Sequence, residues 1–291
     1  MKPSVLTFAS GFALVSLLVG PAAQAQISTP QPSPKSTVTQ RVGLTDITLT
    51  YSRPGVKNRV IFGGLVPFGK RWRTGANGTT TLKFADDVTV EGKKIPAGEY
   101  GLYTIPNKTE WLVVLNKGLK QGADVDGFKD DQDVARLTVK PYKLGSKVET
   151  FTLNFADLTP ATANLEMQWE LTGLKLKIVA EVEPKVMAQI TEKVINNPAA
   201  TPGDLAAAAV YYFGNDKDPK QALAWMEKAN AAEPTKYWNL HTEAKMRLKA
   251  KDFAGATKVA EASRKAALED KNADYVKMNE DLVAEAKKMG K

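Results

Sequence analysis

The residues best suited to binding chemistry lie between positions 53 and 77. Four cationic side chains fall within 21 residues of one another: Arg53, Lys70, Arg71 and Arg73. Trp72 stands among them, and Asn77 follows with an amide that can both donate and accept hydrogen bonds. A concave site that combines guanidinium, amide and aromatic groups suits a carboxylate, a phosphate or a sugar.

We therefore predict a ligand-binding site in this region. Its candidate residues are Arg53, Lys70, Trp72, Arg73, Asn77 and Tyr103. The structural alternative is that Arg73 pairs with a buried carboxylate and that Trp72 belongs to the core. A ligand site requires Arg53, Arg73 and Asn77 to converge in one open pocket, which distinguishes the two interpretations.

The composition excludes several kinds of chemistry. The chain has no Cys and a single His, His241, so it has no thiolate metal site and no cysteine nucleophile. No G-x-S-x-G motif surrounds a serine, and no glycine-rich loop has the spacing of a phosphate-binding motif. We therefore expect no metal, no cofactor and no identifiable catalytic residue.

One enzymatic alternative stays open. A hydrolase acting on carbohydrates could use paired carboxylates near Arg73 and Asn77, with Glu99 and Asp87 as examples. Sequence spacing does not fix the distance between two carboxylates in space. Two carboxylates lining one pocket with Arg73 would favour this alternative.

The first 25 residues have the features of a secretory signal peptide. Lys2 precedes an apolar stretch over residues 5–19, and Ala23-Gln24-Ala25 forms an A-x-A cleavage site. The apolar stretch is shorter than the ~20 residues that a transmembrane helix needs. We expect cleavage before Gln26 and export to the periplasm or the extracellular space, without a lipid anchor because no Cys stands at that point.

The net charge of +8 is spread over both halves of the chain. Nucleic-acid binding needs a concentrated basic face, so the sequence argues against that partner. The partners that we expect are an envelope glycan, a small anionic ligand or another protein.

Residues 36–183 have a period of two. Apolar and polar residues alternate over segments such as 47–51, 151–155, 165–171 and 174–182, which are separated by Gly, Pro, Asn and Asp. Many short strands with such spacing are typical of an antiparallel sandwich or barrel, and we favour the sandwich. Residues 26–35, rich in Pro, Ser and Thr, precede it as an extended leader.

From residue 184 to residue 291 the period is 3.6. The pattern predicts helices at about 185–196, 202–213, 219–232, 235–250, 253–268 and 273–288. Ala222 and Ala256 are 34 residues apart, as are Ala229 and Ser263. This spacing resembles the tetratricopeptide repeat, with one good and one degenerate unit. The fold class is thus multi-domain α+β, with a β-sandwich-like domain followed by helical hairpins.

Two runs within the β region resemble a known family. The Trp-Arg-Thr-Gly-Ala-Asn run at 72–77 and the Gly-Glu-Tyr-Gly-Leu-Tyr-Thr-Ile-Pro run at 98–106 are similar to the bacterial domain of unknown function 2911. The resemblance covers roughly residues 33–183. It implies an exported β-rich domain, with helices appended in some members, and it implies no activity.

These observations favour a non-catalytic protein that binds a ligand or partner outside the cytoplasm. The alternatives are the carboxylate hydrolase and a structural component of the cell envelope. An exposed concave helical face lined by Trp225, Tyr237 and Trp238 would favour peptide binding.

Overall fold

The computed structural model describes residues 29–120 and 128–290. Its fold is α+β, with an antiparallel β region followed by helices, which confirms the predicted class. The predicted signal peptide lies outside the described residues. Within the described ranges, no helix has the length and apolar character needed to cross a membrane.

Ten strands occupy the first half of the described chain. They are β1 (Lys35–Val42), β2 (Thr45–Ser52), β3 (Thr81–Phe84), β4 (Val88–Val90), β5 (Lys93–Ile95), β6 (Gly98–Ile105), β7 (Trp111–Asn116), β8 (Asp133–Val139), β9 (Tyr142–Ala156) and β10 (Thr162–Ala180). One sheet has the order β1-β2-β3-β6-β7-β8, and the other has the order β5-β4-β10-β9. All pairings between these strands are antiparallel.

The core lies between the two sheets. Along β2, Ile47 and Leu49 are buried, whereas Asp46 and Thr48, which alternate with them, face outward. Successive side chains of a strand point to opposite faces of the sheet. Apolar residues of both sheets form a single buried cluster. The alternation in the sequence therefore specifies which face of each strand is buried.

The long strand β10 departs from simple alternation at Glu170. This residue has a φ of +55°, and the register with β9 shifts on both sides of it. Such a bulge reverses the phase of the strand, so Trp169 and Leu174 both face the core while Leu171 is 43% exposed. The alternation of segment 165–171 therefore holds in the structure only as far as Trp169.

The turn between β4 and β5 is a tight hairpin. Glu91 and Gly92 have φ values of 46° and 80°, the left-handed conformation of a two-residue hairpin turn. The strands β1 and β6 lie outside the segments whose alternation the sequence analysis names.

Six α-helices follow, at the positions that the 3.6-residue period predicts. They are α1 (Glu183–Ile190), α2 (Pro202–Gly214), α3 (Pro219–Ala232), α4 (Tyr237–Lys249), α5 (Phe253–Glu269) and α6 (Ala273–Met289), and α1 continues into a π-helical turn at Thr191–Ile195. Consecutive helices from α2 to α6 pack on one another. Ala222, Ala256 and Ala260 are fully buried, and these small side chains allow close helix packing, as in the repeat that the sequence resembles.

Arg247 links three helices through ion pairs. Its guanidinium contacts Glu243 on α4 at 2.8 Å, Glu227 on α3 at 2.5 Å and Asp252 at the start of α5 at 2.8 Å. Because Glu243 is buried, this arrangement satisfies a carboxylate that would otherwise be costly inside the bundle.

The β region and α1 are joined at one end of the six-stranded sheet. Lys185 Nζ lies 2.7 Å from Asp86 Oδ1, and Thr45 donates a hydrogen bond to Asp86 Oδ2 at 2.9 Å. The hydrogen bond from Lys185, followed by that from Thr45, lowers the pKa of the Asp86 carboxyl. Gly43 has a φ of +59° and lies against Val182, where a side chain would clash.

A buried polar network links α4, α5 and α6. Asn279 donates through Nδ2 to Ser263 Oγ and to the Tyr275 carbonyl, so its Oδ1 accepts from His241 Nδ1 at 2.9 Å. The network thereby holds His241 as the Nδ1–H tautomer. Burial lowers the pKa of the imidazole below its usual value of 6.5, although the hydrogen bond to Asn279 opposes the shift.

We expect His241 to make the helices acid-sensitive. A depressed folded-state pKa means that the unfolded chain binds more protons below pH 6.5, so the free energy of unfolding should fall as the pH drops from about 6.5 towards 5. His241→Gln keeps a donor for Asn279 and removes the titration, so it should flatten this decline in urea unfolding measurements. An equal decline in both proteins would contradict the assignment.

Candidate functional site

The connection between β2 and β3, residues 53–80, is held against the sandwich by aromatic contacts. The Trp72 ring stacks on Trp169 of β10, with ring centroids 5.7 Å apart and planes at 17°, and meets Phe151 of β9 at 5.2 Å. Trp72 also exchanges backbone hydrogen bonds with Thr104 of β6 at 2.8 and 2.9 Å. The connection thus contacts both sheets through one residue.

Next to this contact lies an open cavity of about 370 Å³, here called the Arg73 cavity. Trp72 and Trp169 are among its lining residues, but both belong to the core and are only 9% and 1% exposed. Three cationic residues, Lys57, Arg59 and Arg73, also line it. The cavity therefore combines positive charge with an apolar lining that includes Leu65, Val66 and the edge of Trp72.

The guanidinium of Arg73 makes no hydrogen bond or ion pair with any residue that the structure describes. Its Nε is buried and without a partner. Desolvation by burial lowers the pKa of Arg73, and no acidic group offsets that effect. The described part of the cavity lining contains no Asp or Glu, so the buried carboxylate of the structural alternative is not found there.

The other two cations retain donors for a ligand. Arg59 donates through Nε to the Val56 carbonyl at 3.0 Å and through Nη2 to the Gly55 carbonyl at 2.7 Å. These bonds fix the plane of the guanidinium and use two of its five N–H groups. Lys57 is exposed at the same rim, and its φ of 48° belongs to a left-handed turn.

Arg53, a predicted site residue, has a different role from Arg73. It donates through Nε to the Phe151 carbonyl at 3.2 Å and through Nη2 to Thr152 Oγ1 at 2.9 Å. These bonds connect the end of β2 to β9 of the opposite sheet. Arg53 does not line the Arg73 cavity.

Lys70 and Tyr103 also lie away from the Arg73 cavity. Lys70 is exposed to solvent. Tyr103 is buried under the chain that follows β7, where its hydroxyl donates to the Gly118 carbonyl at 2.9 Å and its ring meets Phe128 edge-on at 4.7 Å. A side chain at Gly101, its neighbour on the same face of β6, would collide with the Gly118 carbonyl.

Asn77 lines a second cavity of about 590 Å³. This groove carries mainly hydroxyl groups, with Glu99 as the acidic residue of its described lining. Asn77 Nδ2 donates to the Ser33 carbonyl at 3.1 Å and approaches Ser52 Oγ at 3.4 Å. Ser33 borders both cavities, so the two are adjacent but distinct.

Of the six predicted residues, the structure thus brings only Trp72 and Arg73 together in the Arg73 cavity. The required convergence of Arg53, Arg73 and Asn77 does not occur. Lys57 and Arg59 line the cavity but are not among the predicted residues. The sequence feature that could have identified them is the segment 47–85, which contains cationic residues but no Asp or Glu.

The carboxylates named for the hydrolase alternative are also separated. Glu99 lines the second cavity, whereas Asp87 accepts a hydrogen bond from the Ala97 backbone N–H at 2.8 Å, at the turn after β5. Among the described residues, no group of three or more His, Asp and Glu side chains could hold a metal ion.

The three aromatic residues considered for peptide binding do not form one exposed face. Trp225 packs against Tyr212 with centroids 4.7 Å apart, and Tyr237 is buried with its hydroxyl 3.0 Å from Asp270. Trp238 is 41% exposed.

The fold and the site define a protein with a two-sheet β domain that bears a cationic, partly apolar cavity, followed by packed helical hairpins. The chain belongs to the family described as protein of unknown function (DUF2911), whose model matches residues 33–178, about half of the chain. No curated protein and no solved structure matches the chain. The family match includes every residue of the Arg73 cavity except Pro32.

The unpaired state of Arg73 predicts its effect on stability. Arg73→Met should leave the free energy of unfolding unchanged or raise it by about 1 kcal/mol, because a partly buried charge without a partner is replaced by an apolar chain. The matched variant Arg53→Met should lower it by about 1–2 kcal/mol, because two hydrogen bonds from a charged group are lost. Urea denaturation of both variants measures the difference, and equal losses would contradict the assignment.

Proposed function

We propose that the protein binds a small organic anion in the Arg73 cavity and does not transform it. The observation that carries this proposal is the partly buried Arg73 guanidinium, which has no protein partner in the described chain while it faces a partly apolar cavity. A desolvated cation is unfavourable unless an opposite charge or hydrogen-bond acceptors compensate for it. A bound anion would supply both.

The lining of the cavity indicates the class of ligand. A guanidinium matches the geometry of a carboxylate or phosphate and can donate two parallel hydrogen bonds to it. The apolar part of the lining, which includes Leu65, Val66 and Trp72, favours an apolar or aromatic body attached to that anionic group. The volume of about 370 Å³ lies near the lower end of the range of about 300–1,000 Å³ for small-molecule sites.

The same lining supports binding over hydrolysis. General acid–base catalysis needs a titratable group within hydrogen-bond reach of the reacting atoms. The described lining of the Arg73 cavity provides Lys57, Arg59 and Arg73 as charged groups, all of which are cationic. Such groups hold an anion, and none of them is a carboxylate that could serve as the nucleophile of a glycosidase.

Binding can be tested with pairs of charged and neutral probes. Benzoate, phenyl phosphate and butanoate should quench tryptophan fluorescence on binding, whereas benzamide and butanamide should bind at least tenfold more weakly. Arg73→Met should weaken benzoate binding at least tenfold, because the anion loses its buried partner. Arg53→Met, whose guanidinium lies outside the cavity, should bind within about threefold of the unchanged protein.

Two results would contradict this proposal. One is equal binding of benzoate and benzamide, which would show that charge is not recognised. The other is the absence of binding by every anion in the set, which would favour the structural envelope role.

We also propose that the protein is exported. This proposal is supported by the sequence of residues 1–25, which has a basic residue, an apolar stretch and the A-x-A site before Gln26. An exported binding protein would meet its ligand in the periplasm or outside the cell. Envelope glycans with carboxylate groups are one source of such anions.

Export can be tested by cell fractionation and mass spectrometry of the intact protein. The expected product is found outside the cytoplasm with Gln26 at its N-terminus. Ala25→Arg should block cleavage and leave a longer, membrane-associated precursor, while Gln26→Asn should be processed normally. A full-length chain confined to the cytoplasm would refute the assignment of residues 1–25.

A further inference from the structure

A groove of about 600 Å³ runs between α4 and α6, away from the Arg73 cavity. Its lining includes Leu248 and Leu282 together with Met278 and Met289. The two methionines are 44% and 52% exposed, although both are large apolar side chains. An exposed apolar strip of this kind is a common feature of protein interaction surfaces.

The two walls of the groove carry opposite charges. Lys245, Lys249 and Lys251 line the α4 side, and Asp281 and Glu285 line the α6 wall. Lys249 pairs with Asp216 and Asp281 pairs with Lys277, each at 2.6 Å. Lys245, Lys251 and Glu285 form no ion pair within the described chain. The groove therefore offers free charges of both signs, positive on the α4 side and negative on the α6 wall.

The helices that form the walls run in the same direction. His241 of α4 contacts Asn279 of α6, and about one turn further along, Ala244 shares a buried cluster with Leu282 and Ala286. Lys245 and Glu285 therefore lie at similar heights along the groove, on opposite walls. A two-fold axis parallel to the helices would place each α4 over the α6 of the other copy.

We propose that this groove is the interface of a symmetric homodimer, in which a second copy of the chain covers it. Each Lys245 then faces Glu285 of the partner subunit, and the exposed methionines of each α6 pack against α4 of the other copy. A two-fold interface must be complementary to itself, and a strip with one positive and one negative wall has that property. A partner with a single sign of charge would be repelled by one of the walls.

This arrangement can be tested with two charge-reversal variants, studied separately and mixed. Sedimentation velocity over a range of concentrations measures the dimer dissociation constant. The unchanged protein should dimerise. Lys245→Glu and Glu285→Lys should each raise the dimer dissociation constant at least tenfold, because each places like charges opposite one another twice. An equimolar mixture of the two variants should recover dimers to within about threefold, because both contacts become attractive again.

Lys258→Glu is the matched control, since Lys258 is exposed on α5 and lies outside the groove. It should dimerise like the unchanged protein, and circular dichroism should confirm the helical content of all variants. A protein that stays monomeric at every concentration would overturn the proposal. So would a dimer that both reversals leave intact, or a mixture of the variants that stays monomeric.

Discussion

The stacking of Trp72 on Trp169 is the interaction on which the site depends. Residues 53–80 form a connection without a strand of its own, and a connection of this length needs contacts of its own to keep one conformation. Trp72 supplies them by packing against both sheets of the sandwich. An aromatic pair contributes about 0.5–1.5 kcal/mol beyond its buried area. The next residue, Arg73, is thereby held beside two indoles.

Much of the fold could be predicted from periodicity, because burial imposes a period of two on strands and 3.6 on helices. The helices from α2 to α6 follow the expected positions closely, since each packs one face against its neighbours. The bulge at Glu170 could not be predicted, because a single residue in the left-handed conformation changes the phase without changing the composition. The strand β1 was missed because its residues are mostly polar and partly exposed.

The candidate site was less predictable, because neighbours in sequence need not share a face. Thr74 and Asn77 have φ values of +54° and +59°, and this irregular path takes the chain from the Arg73 cavity to the adjacent groove. Tyr103 lies on the outer face of β6, so it cannot reach the aromatic cluster inside the sandwich. Lys57 and Arg59 join Arg73 through the path of the connection. The absence of Asp and Glu from the surrounding segment was visible in the sequence. That these residues share one cavity was not.

Arg73 is distinctive when it is compared with other partly buried arginines of the described chain. Arg247 contacts three carboxylates, Arg71 contacts Asp130 at 2.8 Å and the Phe128 ring, and Arg53 donates to a carbonyl and a hydroxyl. Each of these contacts compensates for the desolvation of a charged group. Arg73 lacks such compensation, so its position costs stability in the unliganded protein. Sites that bind or react often carry such a cost, because a group already satisfied by the protein has little left to offer a ligand. The same lack of an internal partner that makes Arg73 unfavourable for folding therefore makes it suitable for holding an anion.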